Sequence, residues 1–123
     1  MTTVLTFGTF DTLHHGHDVL LSRAKELGDR LVVGIARDVH VLALKGHAPV
    51  QDQNERLASV RRHPAVSDAI LCDETLRGYD ILNRVKPDVI ALGFDQKELK
   101  DDLQRWMGET NRRIRIETVE AYD

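Results

Sequence analysis

Residues 4–17 read Val-Leu-Thr-Phe-Gly-Thr-Phe-Asp-Thr-Leu-His-His-Gly-His, and the rest of the chain can be organised around them. Val4-Leu5-Thr6-Phe7 has the apolar, β-branched and aromatic character of a short buried strand. Gly8 breaks that run. Beyond Gly16 the apolar positions Leu20, Ala24 and Leu27 recur at helical spacing, and Gly28 offers a stop. A strand that passes through a glycine-containing turn into a helix is the opening unit of a parallel α/β sheet. The start of such a helix offers unpaired N–H groups and the positive end of the helix dipole, so a polyphosphate can bind there.

The alternation continues outward from this unit. Residues 30–36 form a nearly continuous apolar run, as expected of a strand covered on both faces. Residues 37–50 read as a long loop with room for a helical turn, ending near Pro49. Asp52 or Asn54 is placed to cap a helix containing Leu57 and Val60, and Pro64 ends it. Residues 69–72 are a strand candidate, and 79–85 a short helix with Ile81, Leu82 and Val85 on its apolar face. Residues 88–92 are a further buried strand, and 98–107 place Leu99, Leu103, Trp106 and Met107 on one helical side. Ile114, Ile116 and Thr118 alternate with Arg115, Glu117 and Val119, which suits a final, less buried strand. The expectation is one mostly parallel α/β domain over residues 1–123, without repeats or linkers.

Composition narrows the function classes. The 123 residues are 41% apolar and 30% charged, which suits a soluble globular domain rather than a disordered chain. A net charge of -3 gives no basic excess for nucleic acid. No apolar run is long enough for a bilayer, and no basic segment followed by a long apolar run opens the chain. A cytoplasmic protein without a membrane or nucleic-acid partner is therefore expected. Cys72 is the sole cysteine in the sequence, which excludes an intrachain disulfide and a multi-cysteine metal site.

Ligands of open parallel sheets bind beyond the C-terminal ends of the strands, which directs attention to residues 8–17, 37–47, 72–78 and 93–97. Gly8 and Gly16 would allow close backbone approach to a ligand. His14 and His17, three apart, share one side of a helical turn. Two imidazoles facing a phosphate chain donate hydrogen bonds where charge builds up as an α–β phosphoanhydride breaks. Two other readings stay open: a metal pair helped by His15 or Asp11, lacking a clear third ligand, and a structural capping role. The glycine spacing matches neither GxGxxG nor GxxxxGK[ST].

Lys45 sits in a loop Leu44-Lys45-Gly46-His47 and could neutralise triphosphate or acceptor charge; a solvated surface lysine is the alternative. Arg56 could present its fork to a β- or γ-phosphate, or stand as an exposed arginine. Asp11 could accept a loop N–H, help hold hydrated Mg²⁺, or simply form a turn. Asp38 contributes to an acceptor pocket or shapes its loop. Gly93 permits approach of a base or ribose, Phe94 packs there or in the core, and Asp95 follows. Cys72 has no sequence-local activator.

The stretch Gly-Thr-Phe-Asp-Thr-Leu-His-His-Gly-His at 8–17 resembles the signature of the cytidylyltransferase-like nucleotidylyltransferases, with an HxGH element at 14–17. The resemblance extends to Ala-Lys-Glu-Leu-Gly-Asp at 24–29, the run at 31–38, the Lys45 region, Asn-Glu-Arg at 54–56 and the segment 86–96. It implies a Rossmann-like three-layer α/β/α domain with a five-stranded sheet. It also implies transfer of a nucleoside monophosphate from ATP or CTP to a small phosphorylated acceptor, with Mg²⁺ and release of pyrophosphate. On this reading His14, His17 and Lys45 are catalytic. Gly8, Thr9, Phe10, Asp11, Gly16, Arg56, Gly93 and Asp95 serve the nucleotide, and Asp38 the acceptor.

Ala36-Arg37-Asp38 and residues 91–96 look most like archaeal-type FAD synthases, which adenylylate FMN. The short length is also similar to glycerol-3-phosphate cytidylyltransferases, and a homodimer is implied by such relatives. Where they carry an Asp before the third strand, this chain has Ser67 followed by Asp68. Relatives also carry a Ser/Thr-rich segment that opens a last helix near the C-terminus. Residues 119–123, Val-Glu-Ala-Tyr-Asp, supply none, so the expectation is a domain lacking it, with another element compensating or activity weak or absent. A non-catalytic nucleotide-binding module is the rival from another class. A response-regulator-like domain also places acids after its strands but has no use for the histidine pair.

Overall fold

Apolar side chains alternate in direction along the central strands, so both faces of the sheet need a covering layer. The computed structural model describes residues 1–119 of the chain. Among these, strands β1 (Thr3–Gly8), β2 (Arg30–Ile35), β3 (Asp68–Leu71), β4 (Val89–Gly93) and β5 (Arg115–Val119) are interleaved with helices. The helices are α1 (His15–Lys25), α2 (Asp38–Lys45), α3 (Gln53–Arg61), α4 (Asp80–Val85) and α5 (Lys97–Thr110). The sheet order is β3-β2-β1-β4-β5, and every neighbouring pair is parallel. The fold is a Rossmann-like three-layer α/β/α sandwich.

On one face Val4, Leu31 and Val33 pack with Leu20, Leu21 and Ala24 of α1 and Val60 of α3. On the other, Leu5, Phe7, Val32, Ile90 and Leu92 meet Ile81, Leu82 and Leu103 of α4 and α5. Thr6 is fully buried between strands, and its hydroxyl donates to the Ala91 carbonyl of β4 at 2.7 Å. That bond keeps a polar group in the core satisfied. Strand order reverses at β1, which pairs with β2 on one side and β4 on the other. The crevice at the C-terminal ends of β1 and β4 is therefore the place for a ligand. Gln96 spans it, accepting from the Gly93 N–H at 2.8 Å and donating to the Phe7 carbonyl at 2.9 Å.

Residues 37–50 depart from the expectation of a long loop, because eight of them form α2. The helix buries only His40 and Val41, while Val39, Leu42 and Leu44 are exposed. It thus carries no core-facing apolar stripe to be read from sequence. Gly46, at φ 78, closes it with its N–H on the Leu42 carbonyl. Asp52, not Asn54, caps α3, in a reciprocal capping box with Glu55. Ser67 and Asp68 are used at the entry to β3: the Ser67 hydroxyl accepts from Leu31 N–H at 3.1 Å, and Asp68 accepts from Ala69 N–H at 2.8 Å. No helix among the described residues is long and apolar enough to cross a membrane. The expectation about a missing C-terminal segment falls on residues 120–123 and beyond, outside the described residues.

Gly8, where β1 ends, answers first to packing. A Cβ there would meet the Phe10 ring at 2.6 Å. Phe10 turns back in the left-handed region at φ 53 and is buried in the core. The nearest contacts, at 2.6–3.0 Å, are all to that ring, so the ring or the backbone must shift. Gly8→Ala is expected to lower stability by about 1–3 kcal/mol through overpacking, measured by urea unfolding. An unchanged midpoint would show that Phe10 is not the reason for the glycine.

Candidate active site

Beyond Gly8 the chain forms an arm, residues 9–14, that crosses the C-terminal edge of the sheet before α1 begins. Its shape is set by contacts with the segment ahead of α3. Both oxygens of Asp11 are occupied: one accepts from Val50 N–H at 2.8 Å, the other from Gln51 N–H at 2.9 Å. The Gln51 side-chain oxygen in turn accepts from Thr12 N–H at 3.0 Å. The hydrogen bond from Gln51 N–H is the main reason the Asp11 carboxyl titrates below its usual range. Burial opposes the shift; Val50 N–H, Arg56 and Lys45 reinforce it.

Arg56 underlies this arrangement. Its side chain is fully buried, and its three arms reach three different connections. Nη1 donates to the Thr9 carbonyl at 2.8 Å, Nε to the Gln51 carbonyl at 3.1 Å, and Nη2 to Asp38 at 2.7 Å. Asp38 also accepts from Gln53 N–H at 3.1 Å, while its own N–H donates to the Gln53 side chain at 3.0 Å. Asp38 and Arg56 thus tie loops together behind the site. The structure does not bring them to the cavity as the acceptor and phosphate contacts expected from sequence, because the guanidinium has no access to solvent.

The histidine pair occupies the start of α1. His14 is the N-cap residue, and its Nδ1 accepts from Gly16 N–H at 3.1 Å. His17, at the third helical position, returns the favour by accepting from His14 N–H at its own Nδ1, at 3.3 Å. The rings stack with centroids 3.8 Å apart, and His17 also leans on Phe10 at 5.3 Å. Because both Nδ1 atoms accept, the proton of each neutral ring resides on Nε2. The capping role is thus met through Nδ1 of each ring, and no hydrogen bond among the described residues engages either Nε2. Asp18, next along, is bonded to His63 at 2.5 Å and so fastens the first turn of α1 to the end of α3.

His17 is held neutral. Burial is the main cause, and the neighbouring charges of His14 and Lys45 add to it against the pull of Asp11, lowering its pKa to about 4. An electrically neutral Nε2–H is therefore what His17 offers near neutral pH.

These side chains line one end of a cavity of about 560 Å³, within the usual size for a small-molecule site. Of the residues singled out from sequence, Gly8, Thr9, Phe10, Asp11, His14, His17, Lys45 and Asp95 line it. Gly16, Asp38, Arg56 and Gly93 do not: Gly16 serves the cap, and Gly93 serves Gln96. Among the described residues, Lys45 makes no hydrogen bond or ion pair, although it is close enough to influence Asp11 and His17. No three His, Cys, Asp or Glu side chains among the described residues converge as a metal set.

The other end of the cavity comes largely from residues that sequence reasoning did not name. His40, Leu44, Asp73, Leu76, Arg77 and Tyr79 all line it. His40 is bonded through Nε2 to the Glu74 carbonyl at 3.0 Å, which clips α2 to the loop after β3. The only advance signal was the position of residues 72–78 after a strand. Cys72 also lines the cavity, but burial pushes its thiol up to about 12, so it is no nucleophile.

Two outcomes are expected from this geometry. In an NMR titration of the unliganded protein, His17 should stay neutral down to about pH 4. Because its folded-state pKa lies below the usual 6.5, its contribution to stability is complete above that value and declines as pH falls toward 4. A His17 pKa near 6.5 would refute the burial argument. In urea unfolding, Asp38→Ala should cost about 3–5 kcal/mol, since it strands a buried guanidinium. Arg56→Met should cost less, because the Asp38 side chain it leaves behind is 39% exposed. The reverse order would contradict the pairing described.

Residues 5–121 match the cytidylyltransferase-like family. The chain is 45% identical over 112 residues to an FAD synthase of Methanothermobacter thermautotrophicus, covering 85% of this chain and 73% of the relative. It is 38% identical over 123 residues to an FAD synthase of Thermoplasma volcanium, covering all of this chain and 85% of that one. Among solved structures, the lipopolysaccharide core biosynthesis protein of Thermoplasma volcanium matches with a TM-score of 0.86 at 38% identity. That match covers 100% of this chain and 99% of the other.

Proposed function

The chain belongs to the cytidylyltransferase-like family of nucleotidylyltransferases, and from that premise we propose that it transfers AMP from ATP to FMN, giving FAD and pyrophosphate. One observation carries this reading. The stacked His14–His17 pair, with both Nε2–H donors fixed by the helix cap, stands at one end of a cavity whose other walls are mainly apolar.

The chemistry needs no enzyme nucleophile. A phosphate oxygen of FMN attacks the α-phosphorus of ATP in line; the new P–O bond forms as the bond to the β-phosphate oxygen breaks, and pyrophosphate leaves. Nε2–H of His14 and His17 and the ammonium of Lys45 stabilise the charge on the transferring group and the leaving pyrophosphate. The neutral imidazole of His17 suits this task, since it donates without neutralising the attacking phosphate. Mg²⁺ carried by the nucleotide would supply screening of the departing charge; both Asp11 oxygens already hold backbone N–H groups, so Asp95, which lines the cavity, is the carboxylate that would help hold the ion. Arg56 acts behind the arm, holding the Thr9 carbonyl and so the position of the loop on which the phosphates rest.

The acceptor follows from the walls. Leu44, Leu76, Ile81 and Leu99 line the cavity together with the Tyr79 ring. An isoalloxazine ring would be buried against such a surface. Glycerol 3-phosphate would leave most of it bare, which weighs against CTP-dependent transfer to that acceptor.

Pyrophosphate release should be measured with ATP or CTP against FMN, glycerol 3-phosphate and sugar phosphates. The expected result is turnover with the ATP–FMN pair, falling about 10²-fold or more in kcat for His17→Ala. Turnover with CTP and glycerol 3-phosphate in place of that pair would refute the assignment of the acceptor. Nucleotide binding without turnover on any acceptor would make the domain a binding module.

A further inference from the structure

The phosphate chemistry uses only one end of the cavity. The acceptor's phosphate must lie beside the α-phosphate of the nucleotide, close to His14, His17 and Lys45. Its remaining bulk has to extend elsewhere. Residues 73–79, which follow β3, form a wall of the cavity, and Leu44 at the end of α2 lines the same space.

Within that half nearly every polar group already has a partner. Asp73 accepts from Arg84 at 2.9 Å and caps Ile81 N–H at 3.3 Å. His40 is bonded to the Glu74 carbonyl. The Tyr79 hydroxyl donates to Asp102 at 2.5 Å; burial, followed by this bond, pushes its ionisation well above the usual range. Arg77 is the charged exception. Its single ion pair, to Asp102, is 4.0 Å long, and no hydrogen bond holds it among the described residues. Asp102 does not depend on that contact, because Arg105 grips it through two nitrogens at 2.9 and 3.1 Å and Tyr79 supplies a third bond. Such a loose, partly exposed pair is weak, so the guanidinium can leave it at little cost.

The backbone of this loop is also set against its own preference. Arg77 and Tyr79, on either side of Gly78, lie at φ 58 and φ 60, in the left-handed region that bulky residues avoid. Anchors at Asp73 and at the Tyr79–Asp102 bond hold that conformation. Strain maintained in this way is commonly found where a ligand is gripped.

Resting on the FMN reading above, we propose that residues 76–79 and Leu44 form the slot for the acceptor's ring system, and that Arg77 recognises the ring's electron-rich edge. A planar guanidinium can donate two parallel hydrogen bonds to adjacent carbonyl oxygen and nitrogen acceptors on a flavin. Leu44 and Leu76, both exposed at this wall, supply apolar contact for its faces, with the buried Tyr79 as backing. The slot is thereby specific for an aromatic acceptor and gives no purchase to a short polyol.

The test uses the full chain in steady-state turnover, with riboflavin as a phosphate-free competitor of FMN. Arg77→Ala should raise KM for FMN and Ki for riboflavin together, by about ten-fold or more, as for loss of charge-assisted hydrogen bonds. KM for ATP and the unfolding midpoint should stay unchanged, and Arg77→Lys should restore only part of the loss. An unaltered FMN KM in Arg77→Ala would overturn the slot while leaving FMN adenylylation standing. A loss for FMN but not riboflavin would place Arg77 on the phosphate and equally overturn it. If the wild-type chain neither binds nor adenylylates FMN, the acceptor assignment fails and the slot falls with it.

Discussion

A single buried guanidinium holds the working edge of this domain together. Arg56 has no contact with solvent, yet it joins the arm after β1 through Thr9, the segment before α3 through Gln51, and the start of α2 through Asp38. Three connections that would otherwise be independent surface loops become one rigid lip. A buried charge is expensive unless its hydrogen bonds are met, and here each arm of the fork has an acceptor. The arrangement therefore enforces one geometry: any displacement of a connecting loop leaves part of the guanidinium unsatisfied. The positions of Asp11 and of the histidines above it inherit that constraint.

On that lip the cap of α1 also fixes the two imidazoles that line the cavity. The capping bonds of His14 and His17 consume both Nδ1 atoms, which settles where the protons reside. Stacking and burial then keep His17 uncharged, and its proximity to Lys45 has the same effect. A positive ring at that point would pair with incoming phosphate in the ground state as strongly as in the transition state. A neutral donor gains most when charge develops, which is the condition for lowering a barrier rather than merely tightening binding. The cation at this end is Lys45, which makes no ion pair among the described residues and sits on the last turn of a helix that ends in Gly46.

The two ends of the cavity differ in how their charges are committed. At the phosphate end, donors are fixed by backbone hydrogen bonds. At the other, Asp73 is neutralised by Arg84 of α4 and Asp102 by Arg105 of its own helix, leaving apolar walls and the loosely held Arg77. This division matches a reaction that joins a highly charged donor to an acceptor with a large uncharged body.

The order of strands and helices was legible in the sequence because burial periodicity is local: Leu31 to Ile35 reads as a two-faced strand whatever lies around it. The histidine element and its place after a strand were equally plain, since a glycine turn followed by helical spacing needs no distant partner. Helix α2 was hidden because its apolar side chains look outward. The tie between Asp38 and Arg56 was out of reach of sequence because their pairing spans 18 residues and depends on how three loops converge. Likewise only its place after a strand pointed to Leu76-Arg77-Gly78-Tyr79; it becomes a cavity wall when Tyr79 reaches Asp102 on α5. Sequence thus determined the elements and the type of chemistry, which rest on short-range pattern and residue type. Tertiary structure decided which charges are free to meet a ligand, because that depends on partners brought together only when the chain closes.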